Sequence, residues 1–393
     1  MLNSPIEVSV IMPCLNEAET LGRCIEKACA GFRKTGVIGE VVVADNGSTD
    51  GSIEIAEALG ARVQKVSAKG YGHALRGGIE AASGRFIIMG DADDSYDFSE
   101  IGAFLGKLRD GFDLVMGCRL PSGGGTIARE AMPWKNRWVG NPVLSTIGRV
   151  LFRTQVRDFH CGMRAFTREA FLKMDMRTAG MEFASEMVMK ASIQGLRVTE
   201  VPITLHKDGR TRPPHLRPWR DGWRHLRFML VYSPRWLFLV PGLLLLALGS
   251  LGGVMTLLGP CRIGPVTLDV GTMMLCSMGV ILGLQLVSQA FYAKVFAMRE
   301  GLLPDDPDFN RLFNFWTLEK GCLIGLVSSA VGCGVLLWSV LVWKRAAFGP
   351  LDYAENLRRL ITGATLLVLG IQTIFASFHL SVLGLKVTNG ARP

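Results

Sequence analysis

The first 205 residues alternate short apolar runs with longer stretches of helical periodicity. Residues 7–13 (EVSVIMP) form a run rich in Val and Ile, which is typical of a buried strand. The stretch 18–32 then repeats apolar positions every three to four residues, which predicts a helix. Further strands are predicted at 40–44, 63–66 and 85–90, and further helices from about Thr49 and over 71–82. Strands that alternate with helices predict an α/β domain with a mainly parallel sheet and helices on both faces.

The last part of the chain has a different pattern, in which long apolar runs carry no charged residue. Four such runs are present, at about 236–258, 270–292, 321–343 and 360–385. Each has at least 23 residues, which as a helix is roughly 35 Å long and crosses the hydrocarbon core of a bilayer with some tilt. Core helices of water-soluble proteins rarely stay uncharged over such a length. Residues 236–393 are therefore predicted to form an α-helical transmembrane domain of about four spans.

Two of these apolar runs share a short pattern. Leu-Gly-x-Gln ends at Gln285 in the second run and at Gln372 in the fourth, and a Phe follows each Gln six residues later. We interpret this as two related helical hairpins. Since an intramembrane Gln usually seeks a partner helix, the two Gln side chains are expected to face each other inside the bundle.

The positive charge of the chain is concentrated between the two parts. The formal net charge is +9, yet residues 1–205 contain 24 basic and 24 acidic residues. Residues 206–235 contain eight basic and two acidic residues, and apolar residues recur there at helical spacing, at Trp219, Trp223, Leu226 and Leu230. An apolar stripe beside cationic residues predicts an interfacial helix in the headgroup region. A basic segment just before the first span places residues 1–235 in the cytoplasm.

Composition narrows the class of protein further. The 393 residues are 49% hydrophobic and 20% charged, which excludes a disordered chain, a collagen and a small disulfide scaffold. The neutral head lacks the basic surface that nucleic-acid binding requires. The nine cysteines show no Cys-x-x-Cys spacing and are expected to be reduced. The first eight residues, which include Pro5 and Glu7, lack the apolar core of a secretory signal.

Polar residues collect where the predicted strands end. Asn16 and Glu17 follow the first strand, Asp45 the second, and Asp91 and Asp93 the fourth. Ligands of parallel α/β sheets bind at the carboxyl ends of the strands, so these residues predict a ligand site. Two local roles stay open: Asn16 as the cap of the following helix, and residues 45–48 as a tight turn.

The run 91–94 (DADD) places three carboxylates within four residues. Such groups repel one another unless a cation neutralises them, and hard divalent ions take oxygen ligands. Magnesium usually shares its ligand shell with substrate phosphates. Asp91 and Asp93 are therefore the predicted ligands of Mg²⁺ or Mn²⁺ at a metal–diphosphate site, with a solvated acidic turn as the alternative.

Three motifs in order resemble those of family 2 glycosyltransferases with the Rossmann-like GT-A fold: Pro13-x-x-Asn16-Glu17, Asp45-x-Gly47-Ser48-x-Asp50 and Asp91-x-Asp93. Within that family, the chain resembles the dolichyl- and polyprenyl-phosphate mannosyl- and glucosyltransferases. The resemblance covers residues 6–210, and the membrane tail agrees with it in kind. Relatives often carry a Gln two residues after the second Asp of the last motif, where this chain has Ser95.

The resemblance implies roles on the donor side of the reaction. Asp45 would hydrogen-bond the base of a sugar nucleotide, and Asp91 and Asp93 would hold the metal on its diphosphate. The nucleoside pocket would be lined by the remaining residues of the first two motifs, Pro13, Asn16, Glu17, Gly47 and Ser48. Lys207 and Arg210 lie where relatives place basic residues on the donor diphosphate, and either cation is a candidate.

A further segment implies roles on the acceptor side. Residues 158–164 (DFHCGMR) resemble the family's Asp-x-x-small-Gly-x-Arg segment near the acceptor. Arg119 and Arg164 would then bind the acceptor phosphate, because the planar guanidinium donates two parallel hydrogen bonds, with ordinary ion pairs as the alternative. Asp158 is the candidate helper base. Glu182 and Glu186, one helical turn apart, either face the acceptor or complement the basic connector.

The sequence therefore predicts three parts: a GT-A domain over 1–205, a basic connector over 206–235 and a transmembrane domain over 236–393. The predicted activity is metal-dependent, inverting transfer of one hexose from a UDP- or GDP-sugar to polyprenyl (dolichyl or undecaprenyl) phosphate. It would take place at the cytoplasmic face of a bacterial-type plasma membrane. A lipid monophosphate is already largely anionic at cytosolic pH, so its attack needs positioning more than a base.

Several alternatives stay open at this point. They are transfer to another lipid or to a polysaccharide, and a lipid flippase or scaffold with a degenerate transferase head. No nucleic-acid partner is predicted. An assembly of identical chains is left open, as are the identity of the sugar, the base and the lipid length.

Overall fold

A computed structural model describes residues 6–211 and 218–384. By its internal contacts the chain forms two units, Met1–Met229 and Leu230–Pro393. The predicted three-part division, with a separate connector over 206–235, stays a prediction. Arg212 and Arg217 of that connector lie outside the described residues, as does the side chain of Trp219.

The first unit is built on a seven-stranded sheet. Its strands are β1 (Val8–Cys14), β2 (Gly39–Asp45), β3 (Arg62–Lys65), β4 (Phe86–Met89), β5 (Leu114–Cys118), β7 (Arg164–Thr167) and β8 (Val198–Pro202). Their order is β3-β2-β1-β4-β7-β5-β8, and only β7 runs antiparallel to its neighbours. The first four strands follow the sequence prediction to within two residues at each end. The mainly parallel sheet is thus confirmed.

Helices cover both faces of this sheet. They are α1 (Leu21–Thr35), α2 (Ser52–Ala58), α3 (Tyr71–Ala81), α4 (Ile101–Arg109), α5 (Asn141–Phe152), α6 (Arg168–Met174) and α7 (Phe183–Ile193). All four residues of β4 and all five of β5 are buried. A strand that is buried on both faces has a continuous run of apolar residues instead of alternating apolar and polar residues. This pattern is why these strands are recognisable in the sequence.

A small second sheet organises the end of this unit. Strands β6 (Thr126–Ile127) and β9 (Thr204–Leu205) pair in parallel. The segment 206–211 that follows β9 returns toward the edge where β1 and β4 end, since the His206 and Gly209 amides donate to the Ser95 and Asp93 carbonyls at 2.9 and 3.0 Å. Helix α8 (Pro218–Val231) comes next, with Met229 buried and Trp223 exposed.

In the part of the second unit that the structure describes, four helices are long and apolar enough to cross a membrane. Helix α9 (Val240–Leu257) continues a preceding turn from Arg235, and the others are α10 (Val270–Arg299), α12 (Leu318–Arg345) and α13 (Tyr353–Gly384). They correspond to the four predicted runs. A hairpin of β10 (Cys261–Ile263) and β11 (Val266–Leu268) joins α9 to α10, and the short helix α11 (Pro307–Phe315) precedes α12.

Small residues seven positions apart let these helices pack closely in pairs. A methyl group on Gly325 would lie 2.6 Å from the Gly370 carbonyl, and one on Gly332 would lie 2.8 Å from the Gly363 carbonyl. The pair α9 and α10 meets in the same way, with Gly283 against the Gly242 carbonyl at 2.8 Å. Close backbone approach of this kind is typical of membrane helix pairs. Two helical hairpins are therefore present, and their relation to each other stays a prediction.

The predicted pairing of two glutamines inside the bundle is wrong. Gln285 is exposed on α10 rather than turned inward, and only Gln372 is partly buried. The heptad positions at the helix contacts are instead held by glycine, alanine and serine (Gly283, Ala290, Gly370 and Ser377). A side chain as long as Gln does not fit where two backbones approach so closely.

Candidate active site

The predicted ligand site lies at the carboxyl edge of three adjacent parallel strands. β1 pairs with β2 on one side and with β4 on the other, so the loops after these strands meet. Pro13 lies in β1 opposite Ala44, one residue before the strands end. The remaining predicted donor-side residues lie at the end of β2, in the three loops or in the segment after β9: Asn16, Glu17, Asp45, Gly47, Ser48, Asp91, Asp93, Lys207 and Arg210.

Hydrogen bonds join the loop after β1 to the loop after β2. The Asn16 amide donates to Ser48 Oγ at 2.9 Å, and Asn16 Oδ1 accepts from the Thr49 amide at 2.8 Å. The Ala18 amide donates to Asp50 Oδ2 at 2.9 Å. Asn16 takes a left-handed backbone conformation, with φ of +60°. It does not cap α1, which begins five residues later with Thr20 at the N-cap position, so the capping interpretation of Asn16 is wrong.

Asp45 organises the turn at the end of β2. Its two carboxylate oxygens accept from the Gly47 and Ser48 amides, each at 3.0 Å. Gly47 has φ of +96°, a conformation that favours glycine. The tight turn foreseen for residues 45–48 is therefore present. Each Asp45 oxygen keeps a further lone pair for a ligand, so the turn and a base-binding role are compatible.

Arg210 joins two of the predicted motifs. Its Nη2 lies 2.7 Å from Asp93 Oδ2, and its Nε lies 3.1 Å from Glu17 Oε2. All three side chains are largely buried. The guanidinium thus supplies positive charge between carboxylates that come from the ends of β1 and β4. Lys207 is placed differently: it is exposed and pairs with Glu130 at 3.0 Å.

The three carboxylates of the acidic run point to different partners. Tyr71 Oη donates to Asp91 Oδ1 at 2.9 Å, and Asp93 Oδ1 accepts from the amide and hydroxyl of Ser95 at 3.1 and 2.5 Å. Asp94, with φ of +65°, turns away to Lys27 on α1 at 2.7 Å. The run therefore presents a pair of carboxylates to the site rather than three.

Asp91 carries the most perturbed carboxyl group at the site. Burial, and after it the charge of Asp93, raise the pKa of Asp91 to about 6, while the hydrogen bond from Tyr71 acts in the opposite direction. The larger cause is the loss of hydration on burial, and the second is repulsion between two neighbouring carboxylates. A bound cation would relieve that repulsion.

On the acceptor side, Arg119 and Asp158 form a buried ion pair. Arg119 Nε and Nη2 donate to the two oxygens of Asp158 at 2.7 and 2.8 Å, and the Arg119 amide adds a third bond at 2.9 Å. Burial acts to lower the pKa of Arg119, but the adjacent Asp158 raises it well above its usual value. Among the described residues, these bonds leave Nη1 of Arg119 for another anion.

Arg164 lies deeper than the resemblance implies. Its side chain is fully buried on β7, and it donates to the Ala184 carbonyl at 2.7 Å and to the Cys161 carbonyl. Burial lowers the pKa of this guanidinium. The contacts tie α7 to the loop 158–163. A ligand reaches such a side chain only if those backbone contacts open, so Arg164 is better placed to hold the loop than to bind a phosphate.

A histidine cluster that sequence reasoning did not foresee connects the same loop to α8. Ser185 Oγ lies 2.7 Å from His225 Nδ1 and 3.3 Å from His160 Nε2, and the two imidazole rings meet edge to face. Burial, and then His225, lower the pKa of His160 well below its usual value. Glu182 pairs with Arg224 at 3.0 Å, as expected if it complements the connector. Periodicity gave no signal for this cluster, because its members lie far apart in the sequence.

Glu186 has a structural role of a different kind. It is fully buried, and its carboxylate accepts from the Arg177 and Thr178 amides and from the Thr178 hydroxyl at 2.6 to 3.1 Å. Lys190 balances its charge at 2.9 Å. This carboxylate fixes the segment 177–179 and does not face the acceptor side.

One face of the first unit is apolar and basic. Between residues 133 and 157 there are five basic and no acidic residues. Large apolar side chains are exposed along this stretch, at Trp134, Trp138, Val139, Val143 and Val150. An exposed apolar stripe with basic neighbours fits the interface between lipid headgroups and acyl chains.

Comparison with known proteins identifies the family of the chain. Residues 9–174 match the family Glycosyl transferase family 2, and residues 291–384 match the Glycosyltransferase family 2 C-terminal transmembrane region. The low-salt glycan biosynthesis hexosyltransferase Agl6 of Haloferax volcanii is 37% identical over 96% of this chain and 89% of its own length. The chain belongs to glycosyltransferase family 2.

Two further proteins are similar to parts of this family 2 glycosyltransferase. The dolichyl-phosphate hexose transferase of Haloferax volcanii is 32% identical over 50% of this chain and 82% of its own length. Glucosyl-3-phosphoglycerate synthase from Mycobacterium tuberculosis, solved with Mn²⁺, UDP and glucosyl-3-phosphoglycerate, aligns with a TM-score of 0.44 and 22% identity. That alignment covers 57% of this chain and 78% of the synthase.

The carboxylate pair of this glycosyltransferase fits a divalent cation that is shared with a substrate. Among residues 6–211 and 218–384, no three His, Cys, Asp or Glu side chains are grouped so that they could hold a metal alone. Asp91 and Asp93 are nevertheless two residues apart at the end of β4, both are partly buried, and the charge of Asp93 acts to raise the pKa of Asp91. Mg²⁺ is commonly held by one or two carboxylates and completes its shell with water and phosphate oxygens. The residues present therefore fit such an ion.

Proposed function

We propose that this glycosyltransferase moves a single hexose, with inversion, from a UDP- or GDP-sugar to a polyprenyl phosphate such as dolichyl or undecaprenyl phosphate. The reaction takes place at the cytoplasmic face of the membrane and uses Mg²⁺ or Mn²⁺. The observation that carries this proposal is the bridge of Arg210 between Glu17 and Asp93, which brings the motifs of β1 and β4 and the segment after β9 into one site.

The roles proposed for residues on the donor side follow from the contacts of Arg210 with Glu17 and Asp93. A nucleoside diphosphate brings negative charge to an edge where Asp91 and Asp93 already repel each other. Asp91 and Asp93 would hold the metal ion, which when bound would supply positive charge to the diphosphate. Arg210 lies beside this pair and is free to exchange a carboxylate oxygen for a phosphate oxygen, because a guanidinium forms paired hydrogen bonds with both groups. Asp45 and Asn16 lie at the same edge of the sheet and would contact the base and the ribose.

The acceptor side needs an anion site more than a base. An oxygen of the lipid phosphate attacks the anomeric carbon, and the bond from that carbon to the diphosphate oxygen breaks with its electron pair. Since a phosphate monoester is largely anionic at pH 7, no proton has to be removed first. Both oxygens of Asp158 accept from Arg119, which suits orientation of Arg119 better than proton abstraction. This arrangement supports a phosphate rather than a hydroxyl acceptor.

The class of sugar and lipid rests on the relatives. Agl6 is named as a hexosyltransferase and another similar protein as a dolichyl-phosphate hexose transferase. Four helices able to span a bilayer keep the chain at the membrane, where a polyprenyl phosphate resides. The apolar and basic face over 133–157 would rest on the headgroups and bring the acceptor site to the lipid phosphate.

The test is transfer of radiolabelled sugar by the purified full-length protein in detergent. A panel of UDP- and GDP-sugars is offered with undecaprenyl phosphate or dolichyl phosphate, with Mg²⁺ or Mn²⁺ or with a chelator. We expect an organic-soluble, mild-acid-labile product from one donor class that disappears with the chelator. Asp93→Asn should lower the rate about 100-fold or more, the usual cost of removing one electrostatic contact from a transition state.

Asp94→Asn is the matched control from the same acidic run. Its carboxylate pairs with Arg23 and Lys27 on α1, away from Asp91, so its rate should stay within a few-fold of wild type. Sugar-nucleotide binding without transfer to either lipid would argue for another acceptor. Neither binding nor transfer would argue for a head without activity.

A further inference from the structure

Tyr71 contacts the proposed metal pair directly, although no sequence motif singles it out. It is the first residue of α3, and its hydroxyl donates to Asp91 Oδ1 at 2.9 Å. A tyrosine hydroxyl is protonated at neutral pH, and a carboxylate can only accept, so Tyr71 is the donor in this hydrogen bond. One of the two Asp91 oxygens is therefore fixed by a neutral hydrogen bond.

The backbone that carries Tyr71 has little freedom. Gly70 has φ of +131°, and the Gly72 amide donates to the Ala179 carbonyl at 2.9 Å. A methyl group on Gly70 or Gly72 would collide with the carbonyls of Ala179 and Thr178. The segment 177–179 is itself held by the buried Glu186 carboxylate. The position of Tyr71 therefore depends on the segment 177–179 and, through it, on the buried ion pair of Glu186.

The opposite side of Asp91 is bounded as well. A methyl group on Gly162 would lie 2.6 Å from Asp91 Oδ2, so only glycine leaves room for the carboxylate there. The Gly162 amide donates to Tyr96 Oη at 2.9 Å, which fixes the position of that glycine. The carboxylate of Asp91 therefore lies between a hydroxyl on one side and a backbone on the other, in a single orientation.

From these contacts we infer that Tyr71 is a positioning residue for the divalent cation at Asp91 and Asp93. This inference rests on the proposed function, which assigns the cation to that pair. The Tyr71 hydrogen bond sets the plane of the Asp91 carboxylate and leaves lone pairs on both oxygens for other partners. Outer hydrogen-bond donors of this kind orient metal ligands, and their loss typically weakens metal binding by about 10–100-fold.

The experiment is Mn²⁺ titration of the full-length protein in detergent with UDP present, followed by the electron paramagnetic resonance signal of free Mn²⁺. Tyr71→Phe removes only the hydroxyl, and we expect its Kd for Mn²⁺ to rise about tenfold or more. Tyr353→Phe, at a side chain that is 76% exposed in the second unit, is the matched control and should bind Mn²⁺ as wild type does. Asp93→Asn is expected to abolish the binding.

A second measurement separates positioning from folding. Transfer by Tyr71→Phe should recover as the Mn²⁺ concentration is raised, with kcat approaching that of wild type, whereas a folding defect would not respond to metal. A Kd within twofold of wild type, or a kcat that stays low at saturating Mn²⁺, would overturn the role of Tyr71 and leave the proposed function standing. Failure of the wild type to bind Mn²⁺ would instead remove the metal from the proposed function, and this inference with it.

Discussion

At the scale of single residues, Arg210 is the side chain that links the donor-side motifs. It lies between Glu17 and Asp93 and is largely buried, so its removal takes a buried positive charge from between two carboxylates. We expect Arg210→Ala to raise the KM for the sugar nucleotide about tenfold or more and to lower kcat as well. Arg210→Lys should recover part of this loss, because it keeps the charge but not the planar fork.

Lys207→Ala is the comparison that decides between the two candidate cations. Lys207 is exposed and its partner is Glu130, so we expect a change in KM smaller than twofold to threefold. Steady-state kinetics at varied donor concentration would measure both variants. A larger effect at Lys207 than at Arg210 would show that Lys207, and not Arg210, contacts the diphosphate.

A second residue-scale prediction concerns Asp158. Its carboxylate is fully buried and receives three hydrogen bonds from Arg119, so Asp158→Asn leaves a buried guanidinium with a weaker partner. Breaking a buried pair costs about 3–5 kcal/mol when one partner is lost, and the isosteric amide should cost somewhat less. We expect a lower thermal midpoint and a higher KM for the lipid phosphate. If Asp158 were instead the base, the main effect on the kinetics would be a large fall in kcat at saturating lipid phosphate rather than a higher KM.

At the scale of elements, the pairing of α12 with α13 depends on glycines that face the partner backbone. A side chain on Gly332 would meet the Leu367 amide nitrogen at 2.6 Å and the Gly363 carbonyl at 2.8 Å. Overpacking of this kind costs about 1–3 kcal/mol, so Gly332→Leu should lower the thermal midpoint of the protein in detergent. Gly334→Leu lies on the same helix with open space around it and should have no such effect. Equal midpoints for the two variants would contradict the observed pairing.

The histidine cluster between the loop 158–163 and α8 predicts a pH dependence. Burial and His225 hold the pKa of His160 well below its usual 6.5, so as the pH falls the unfolded chain binds the proton first. The stability that neutral His160 provides is complete above pH 6.5 and is lost as the pH falls below that value toward the folded pKa. We expect the contribution of His160 to the thermal midpoint to decrease between about pH 7.5 and about pH 5.5.

Two histidine variants serve to assign that decrease. His160→Asn should show a shallower dependence on pH, because the group that titrates is gone. His206 is exposed, and His206→Asn should keep the wild-type slope. Identical slopes in all three proteins would place the origin of the effect elsewhere.

At the scale of the whole molecule, the order of the four spans predicts which loops share a side of the membrane. With residues 1–235 in the cytoplasm, the β10–β11 hairpin between the first two spans lies on the opposite side. Cys261 in that hairpin and Cys29 in the first unit are both partly exposed. In variants that keep only one of these cysteines, an impermeant maleimide should label Cys261 in intact cells and Cys29 only after lysis. The reverse result would invert the proposed orientation.

Basic pairs at the ends of the last two spans do not follow the simple charge rule. Lys344, Arg345, Arg358 and Arg359 fall on the outer side under a four-span order. The structure gives the last two local partners, since Arg358 pairs with Asp269 and Arg359 with Glu355. Charges that are neutralised within the unit constrain orientation less than the basic segment before the first span.

The sequence by itself determined the elements and the kinds of chemistry. Strand and helix positions follow from local periodicity, and the spans follow from the length of uncharged runs, so β1, β4 and the four membrane helices lie where the pattern predicts them. Motifs at strand ends were also predictable, because parallel strands deliver their loops to one edge. These properties depend on residues that are neighbours in the chain.

Only the tertiary structure decided which of those residues act together. Arg210 contacts Glu17 and Asp93, which lie far from it in the sequence, and Tyr71 contacts Asp91. No spacing in the sequence predicts either contact. Folding likewise turned Asp94 away from the site and left Gln285 facing outward. Such outcomes depend on the direction and depth of individual side chains, which are set by packing between distant segments rather than by local pattern.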